Sequence, residues 1–133
     1  MLHEIVGLTD EPPAKRRWFH DDFFDLFVWQ TLQGEVVRFQ LCYGIHSSEH
    51  ALVWQSHGGM FHDGPGAEDP EAVKAIIERF ENSAPTLPKP VRQVVGTQLQ
   101  QFAQDAAGMP TRRKTFRRAS WQKRLPAPQR KAG

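Results

Sequence analysis

Residues 16–56, RRWFHDDFFDLFVWQTLQGEVVRFQLCYGIHSSEHALVWQS, read as a β-meander with apolar side chains on both faces. Successive side chains of a strand point to opposite faces of its sheet, so this pattern makes a sheet that is greasy on two sides. Such a sheet needs two covers. The chain has only 133 residues, enough for a single domain, so covering layers are scarce. That scarcity points toward binding rather than catalysis.

Phe23–Gln30 is aromatic and β-branched with no breaker, and Val36–Tyr43 repeats that character after Gln33-Gly34. Glycine supplies the positive φ that a tight hairpin turn demands. With Gln33 and Gly34 as a two-residue loop, Val28 faces Phe39, Leu26 faces Leu41 and Phe24 faces Tyr43, which makes one face wholly apolar. The opposite face pairs Trp29 with Arg38, Phe27 with Gln40 and Asp25 with Cys42. A slip of one residue would destroy this segregation. Ala51–Ser56 gives a third strand, and Leu2–Leu8 gives a short first one. His57–Pro70 holds four glycines and two prolines in fourteen residues and reads as a loop.

Asp69-Pro70-Glu71 is a helix start: a capping carboxylate, a proline suited to the first turn, and an acid at the positive end of the dipole. Val73, Ile76, Ile77 and Phe80 then share a stripe, and Asn82–Pro85 ends it. A second helix opens near Thr86 and Pro88. It carries Val91, Val94, Val95, Leu99, Phe102, Ala103 and Ala106 at helical spacing and stops at Gly108 and Pro110. Gly96 inside it suggests close packing. The expected fold class is therefore α+β: an antiparallel β-meander of three to four strands, covered on one face by two C-terminal amphipathic helices. Residues 1–110 form this single domain, and residues 111–133 follow as a basic tail, expected to be disordered on its own.

The net charge of +2 conceals a partition. Residues 1–110 hold 8 basic and 15 acidic side chains, a balance of −7, whereas residues 111–133 hold 9 basic side chains and no acid. Cys42 is the single cysteine, which excludes an intrachain disulfide and fits a reducing compartment. The N-terminus lacks the basic and apolar regions of a secretory signal, and no stretch approaches the ~20 apolar residues of a membrane span. A cytoplasmic protein with no membrane association is expected.

Arg16–Phe19 (RRWF), Asp25–Trp29 (DLFVW) and Phe39–Tyr43 (FQLCY) resemble the fingerprint of a family of small uncharacterised bacterial proteins. The resemblance covers roughly forty residues and brings no activity, ligand or catalytic residue with it. It implies additional strand after Ser56, where this chain has its Gly-rich stretch, so the sheet here is expected to be smaller.

Groups with chemistry in them are few. Cys42-x3-His46-x3-His50 offers zinc-type donors, with Asp25 opposite Cys42, but as a single row rather than two close pairs. Solvated histidines and an inert semi-buried thiol are the favoured reading, and the same mid-strand setting argues against a Cys42–His nucleophile pair. Asp21, Asp22, Asp25, Glu35 and Glu49 show no spacing that demands acid–base roles. The glycines at 58–66 lack the lysine and hydroxyl of a phosphate cradle. No catalytic residue and no cofactor are assigned, and the chain is read as leaning away from enzymes.

Two functions follow. The first is a protein-interaction or adaptor domain that self-associates as a homodimer through the second face, with Phe27, Trp29, Val36, Arg38 and Val53 as the interface. The second is a nucleic-acid accessory protein binding through Arg112, Arg113, Lys114, Arg117, Arg118, Trp121, Lys123 and Arg124, with Trp18 or Trp121 stacking on bases.

Overall fold

The computed structural model describes residues 1–6, 14–44, 49–64 and 69–106. Six strands form one antiparallel sheet in chain order: β1 (His3–Ile5), β2 (Lys15–His20), β3 (Phe24–Gln30), β4 (Val36–Tyr43), β5 (His50–Gln55) and β6 (Gly59–Asp63). Two helices follow, α1 (Pro70–Ser83) and α2 (Lys89–Ala106), joined by a 3-10 turn at Ala84–Thr86. The class is α+β, with six strands rather than three to four. The two additional strands are β2, to which the sequence reading assigns no strand of its own, and β6, which lies in the stretch read as a loop. Gly58-Gly59 lie where a hairpin turn is needed: Gly58 N–H donates to the Gln55 carbonyl at 3.0 Å and Gly59 sits at φ +72°. The Gly-rich stretch therefore carries the strand that it was expected to lack.

All six predicted β3–β4 pairs occur, from Phe24 opposite Tyr43 to Trp29 opposite Arg38. The turn itself differs. Gly34 N–H donates to the Thr31 carbonyl at 2.9 Å, Thr31 N–H donates to the Glu35 carbonyl at 2.8 Å, and Gly34 takes φ +93°. This is a three-residue loop, a turn closed by a left-handed glycine, and it moves the pairing by one residue to Gln30 opposite Val36. A bulge between Trp29 and Gln30 restores the expected register beyond it by leaving Val37 as the extra residue. The bulge exchanges the faces of the two valines. Val36 joins the helix-covered core, and Val37 packs on the other side.

The first face of the sheet carries Phe19, Phe24, Leu26, Val28, Phe39, Leu41 and Leu52, and α1 and α2 cover it with Val73, Ile77, Phe80, Val91, Val95 and Leu99. The Asp69 side chain caps α1 by accepting from Glu71 N–H at 3.1 Å. The N-terminus is tied down beside the helix connection, where Leu2 N–H donates to the Ser83 carbonyl at 3.1 Å and Thr86 Oγ1 donates to the Leu2 carbonyl. Among the described residues no helix is long and apolar enough to cross a membrane.

Gly96 does not mark a close contact, because a Cβ placed there meets nothing within 4 Å. Its glycine cost in mid-helix is therefore uncompensated. Gly96→Ala is expected to stabilise the protein by about 0.5–1 kcal/mol in urea denaturation, with an unchanged m-value.

Candidate functional site: the second face of the sheet

Pleating sends the alternate residues of each strand to the face away from the helices. There Trp18, Phe27, Trp29, Cys42, Ala51 and Val53 form a separate cluster, with Ile5, Ala14, Val37 and Phe61 packed against it. Trp18 stacks on Phe27 with ring centroids 5.7 Å apart and planes 20° from parallel. Trp29 lies under Arg38, whose guanidinium carbon is 4.5 Å from the ring centroid. Asp25 is fully buried and ties two neighbours together: it accepts from Trp18 Nε1 at 2.8 Å and contacts His20 Nδ1 at 2.9 Å. Gln40 is buried too, and its Oε1 finds no hydrogen-bond partner among the described residues.

This surface is not the open aromatic patch expected of an interface. In the single chain Phe27 is 0% exposed, Trp29 3% and Val53 2%. Val36 is buried in the opposite core because of the bulge, and only Arg38 of the five interface candidates is half-buried. Trp18, at 0% exposure, is closed off as a base-stacking platform as well. The polar–aromatic lattice acts as an internal fastening. Arg17 makes the same point on the other face, where it forms a bidentate ion pair with Glu4 at 2.7 and 2.8 Å. Asp21 accepts from the backbone N–H groups of Phe23 and Phe24, closing the β2–β3 turn.

The metal and thiol readings separate on the same geometry. Cys42 pairs with Ala51 on the second face, whereas His50 pairs with Tyr43 on the first. Cys42 and His50 therefore cannot share a ligand site or a proton-transfer pair, and His46 lies outside the described residues. Among the described residues no three His, Cys, Asp or Glu side chains are grouped to hold a metal ion. The nucleic-acid candidates from Arg112 to Arg124 also lie outside the described residues.

A cluster that sequence reasoning missed stands at the rim of the first face. Tyr43 and His62 Nε2 share a hydrogen bond, and Tyr43 stacks on His50 with centroids 4.9 Å apart. Phe23 stacks on the far side of Tyr43 at 6.1 Å, and Arg79 caps Phe23 at 3.8 Å. The result is a column of cation, phenyl, phenol and imidazole. The available signal was Gly58-Gly59 followed by Met60-Phe61-His62, a hairpin signature that places His62 on the tyrosine's face. Burial pushes the Tyr43 phenol well above its ordinary ionisation range. Among the described residues, open hollows lie beside the helices. One, of about 840 Å³, is lined by residues including Glu81, Arg92, Gly96 and Gln100, and a Gln100–Glu81 hydrogen bond joins two of them. Another, of about 300 Å³, is bounded by His3, Asp21, Asp22 and Arg79.

No family model, no curated protein and no solved structure matches the chain.

Tyr43 is the single tyrosine, so its ionisation can be followed directly by ultraviolet absorbance. A phenol whose folded pKa is raised supports the fold fully below its ordinary value of 10.0, and that support is lost as pH climbs from there toward the folded value. Stability is expected to be flat across neutral pH and to fall above about pH 10, with phenolate appearing together with unfolding. Trp18→Phe keeps a ring but removes the donor to Asp25. It is expected to cost about 1–3 kcal/mol in denaturant unfolding, because a buried carboxylate loses a partner.

Proposed function

We propose that this protein is a non-catalytic accessory module that binds nucleic acid through residues 111–133. The charge partition carries the reading: a contiguous stretch with 9 basic side chains and no acid follows a body whose balance is −7. Polyanion binding by such a stretch gains from counterion release, and Phe116 and Trp121 among the cations supply rings that can stack on bases. The acidic body disfavours a second, competing polyanion surface. Its polar groups that could have suggested chemistry, Asp25, His20, Asp21, Tyr43 and His62, are engaged in holding strands and turns together.

Self-association through Phe27, Trp29 and Val53 loses its premise, because these side chains are already buried in one chain. Among the described residues the large hydrophobics that stand exposed are Met1, Val6 and Leu32. Leu32 lies in the β3–β4 turn and the other two flank β1, so they do not compose one patch.

The test is fluorescence anisotropy of the full chain with mixed-sequence duplexes between 50 and 200 mM salt, a range over which phosphate-driven binding weakens steeply. Replacing Arg112, Arg113, Lys114, Arg117 and Arg118 by Gln is expected to flatten the log–log salt slope by about 0.9 for each phosphate that is no longer neutralised. Absence of binding at the lowest salt, or an affinity indifferent to these substitutions, overturns the reading.

A further inference from the structure

The outward side of α2 carries a glycine that packing within one chain does not require. A Cβ at Gly96 meets nothing within 4 Å, so no neighbouring group forbids a side chain there. Gly96 lines the hollow of about 840 Å³ beside α2, which Glu81 of α1 and Pro85 of the 3-10 turn also border. A glycine lowers the surface of a helix at its position, and the side chains at a crossing set how closely a second helix can pack. The propensity cost of Gly96 falls on one chain alone, and a compensating contact arises only when another helix approaches.

The hollow is charged in two blocks. Lys89 and Arg92 stand exposed about one to two turns before Gly96, and among the described residues neither has a carboxylate partner in the chain. Glu81 stands about one turn beyond Gly96, at the level of Gln100, to which it is hydrogen-bonded. Between the blocks lie Gln93, Thr97 and Gln100. A glutamine amide both donates and accepts, so it can pair with a second glutamine. A face with cations at one end and an anion at the other complements a copy of itself turned end for end.

We propose that two copies of this chain associate through this face, with their α2 helices crossing antiparallel at Gly96 about a two-fold axis. Gln93 of one copy then faces Gln100 of the other, and Arg92 of one comes to the level of Glu81 of the other. The axis repeats the contact, so two Arg92–Glu81 pairs close the interface. Exposed polar groups make up this face, so the association is weak and reversible, unlike an obligate dimer with an apolar interface. It leaves the second face of the sheet uninvolved and stands apart from the nucleic-acid reading.

Sedimentation velocity of the full chain, with no nucleic acid present, is expected to show a monomer–dimer equilibrium between about 1 and 100 µM. Gly96→Arg has room to fold in one chain and puts bulk and like charge on the axis. It is expected to weaken the dimer at least tenfold, about 1.4 kcal/mol. Arg92→Glu and Glu81→Arg are each expected to weaken it in the same direction. The double variant Arg92→Glu/Glu81→Arg exchanges the signs and is expected to restore association. Circular dichroism checks that each variant keeps its helices. A monomer throughout that concentration range overturns the proposal, as does a dimer indifferent to Gly96→Arg or a double variant no better than the single reversals. Should a variant not fold, carbodiimide cross-linking of the unaltered chain, mixed with an isotope-labelled copy, decides instead. Lys89–Glu81 links between copies support the crossing, and links within one copy or none reject it.

Discussion

The β3–β4 hairpin is the constraint on which the rest depends. All seven residues of β3 are buried, so this strand has no solvent side on which an error could be hidden. Moving this strand by one residue would carry Leu26 and Val28 into the polar–aromatic lattice and push Asp25 toward the helices. The left-handed Gly34 and the extra Val37 act as a matched pair of irregularities. One displaces the pairing at the turn, and the other returns it before the aromatic core begins. Both valines keep an apolar environment because the bulge gives each a different face.

Depth of burial then dictates what polar side chains on the sheet can do. Removing a carboxylate from water is costly unless donors meet it, and Asp25 is met by the Trp18 indole and His20. Arg38 keeps part of its surface in solvent while its guanidinium lies on Trp29, an arrangement that suits a long cationic stem over an aromatic face. Tyr43 and His62 solve the same problem at the rim by bonding to each other. Groups that could have been catalytic in an open cleft are thus committed to holding strands in place.

The body and the basic segment differ in composition. The body supplies a rigid sheet whose side-chain stacking is set by aromatic pairs such as Phe39 with Trp54 and Trp18 with Phe27. The segment supplies charge of the opposite sign and rings at intervals. The proposal for nucleic acid rests on that charge pattern alone.

The sequence by itself determined the class of fold, both helices with the Asp69 cap, and the β3–β4 register, because period-2 and period-3.6 patterns are local and a two-faced strand tolerates one alignment. It also made plain the charge partition, which depends on composition alone. Tertiary structure decided the rest. β2 and β6 pair with neighbouring strands that offer them ladders, and in β6 the pairing prevails over the glycines of its flanks, which argue locally against strand. The bulge that moves Val36 into the helix-covered core depends on how the Thr31–Glu35 turn closes, and spacing alone does not reveal that. Cys42 and His50 are near each other along the chain and are separated by the thickness of the sheet, while Tyr43 and His62, nineteen positions apart, are bonded across two strands. Burial of Phe27 and Trp29 was the least legible feature of all, since alternation specifies which face a side chain takes and only the packed chain specifies whether water reaches it.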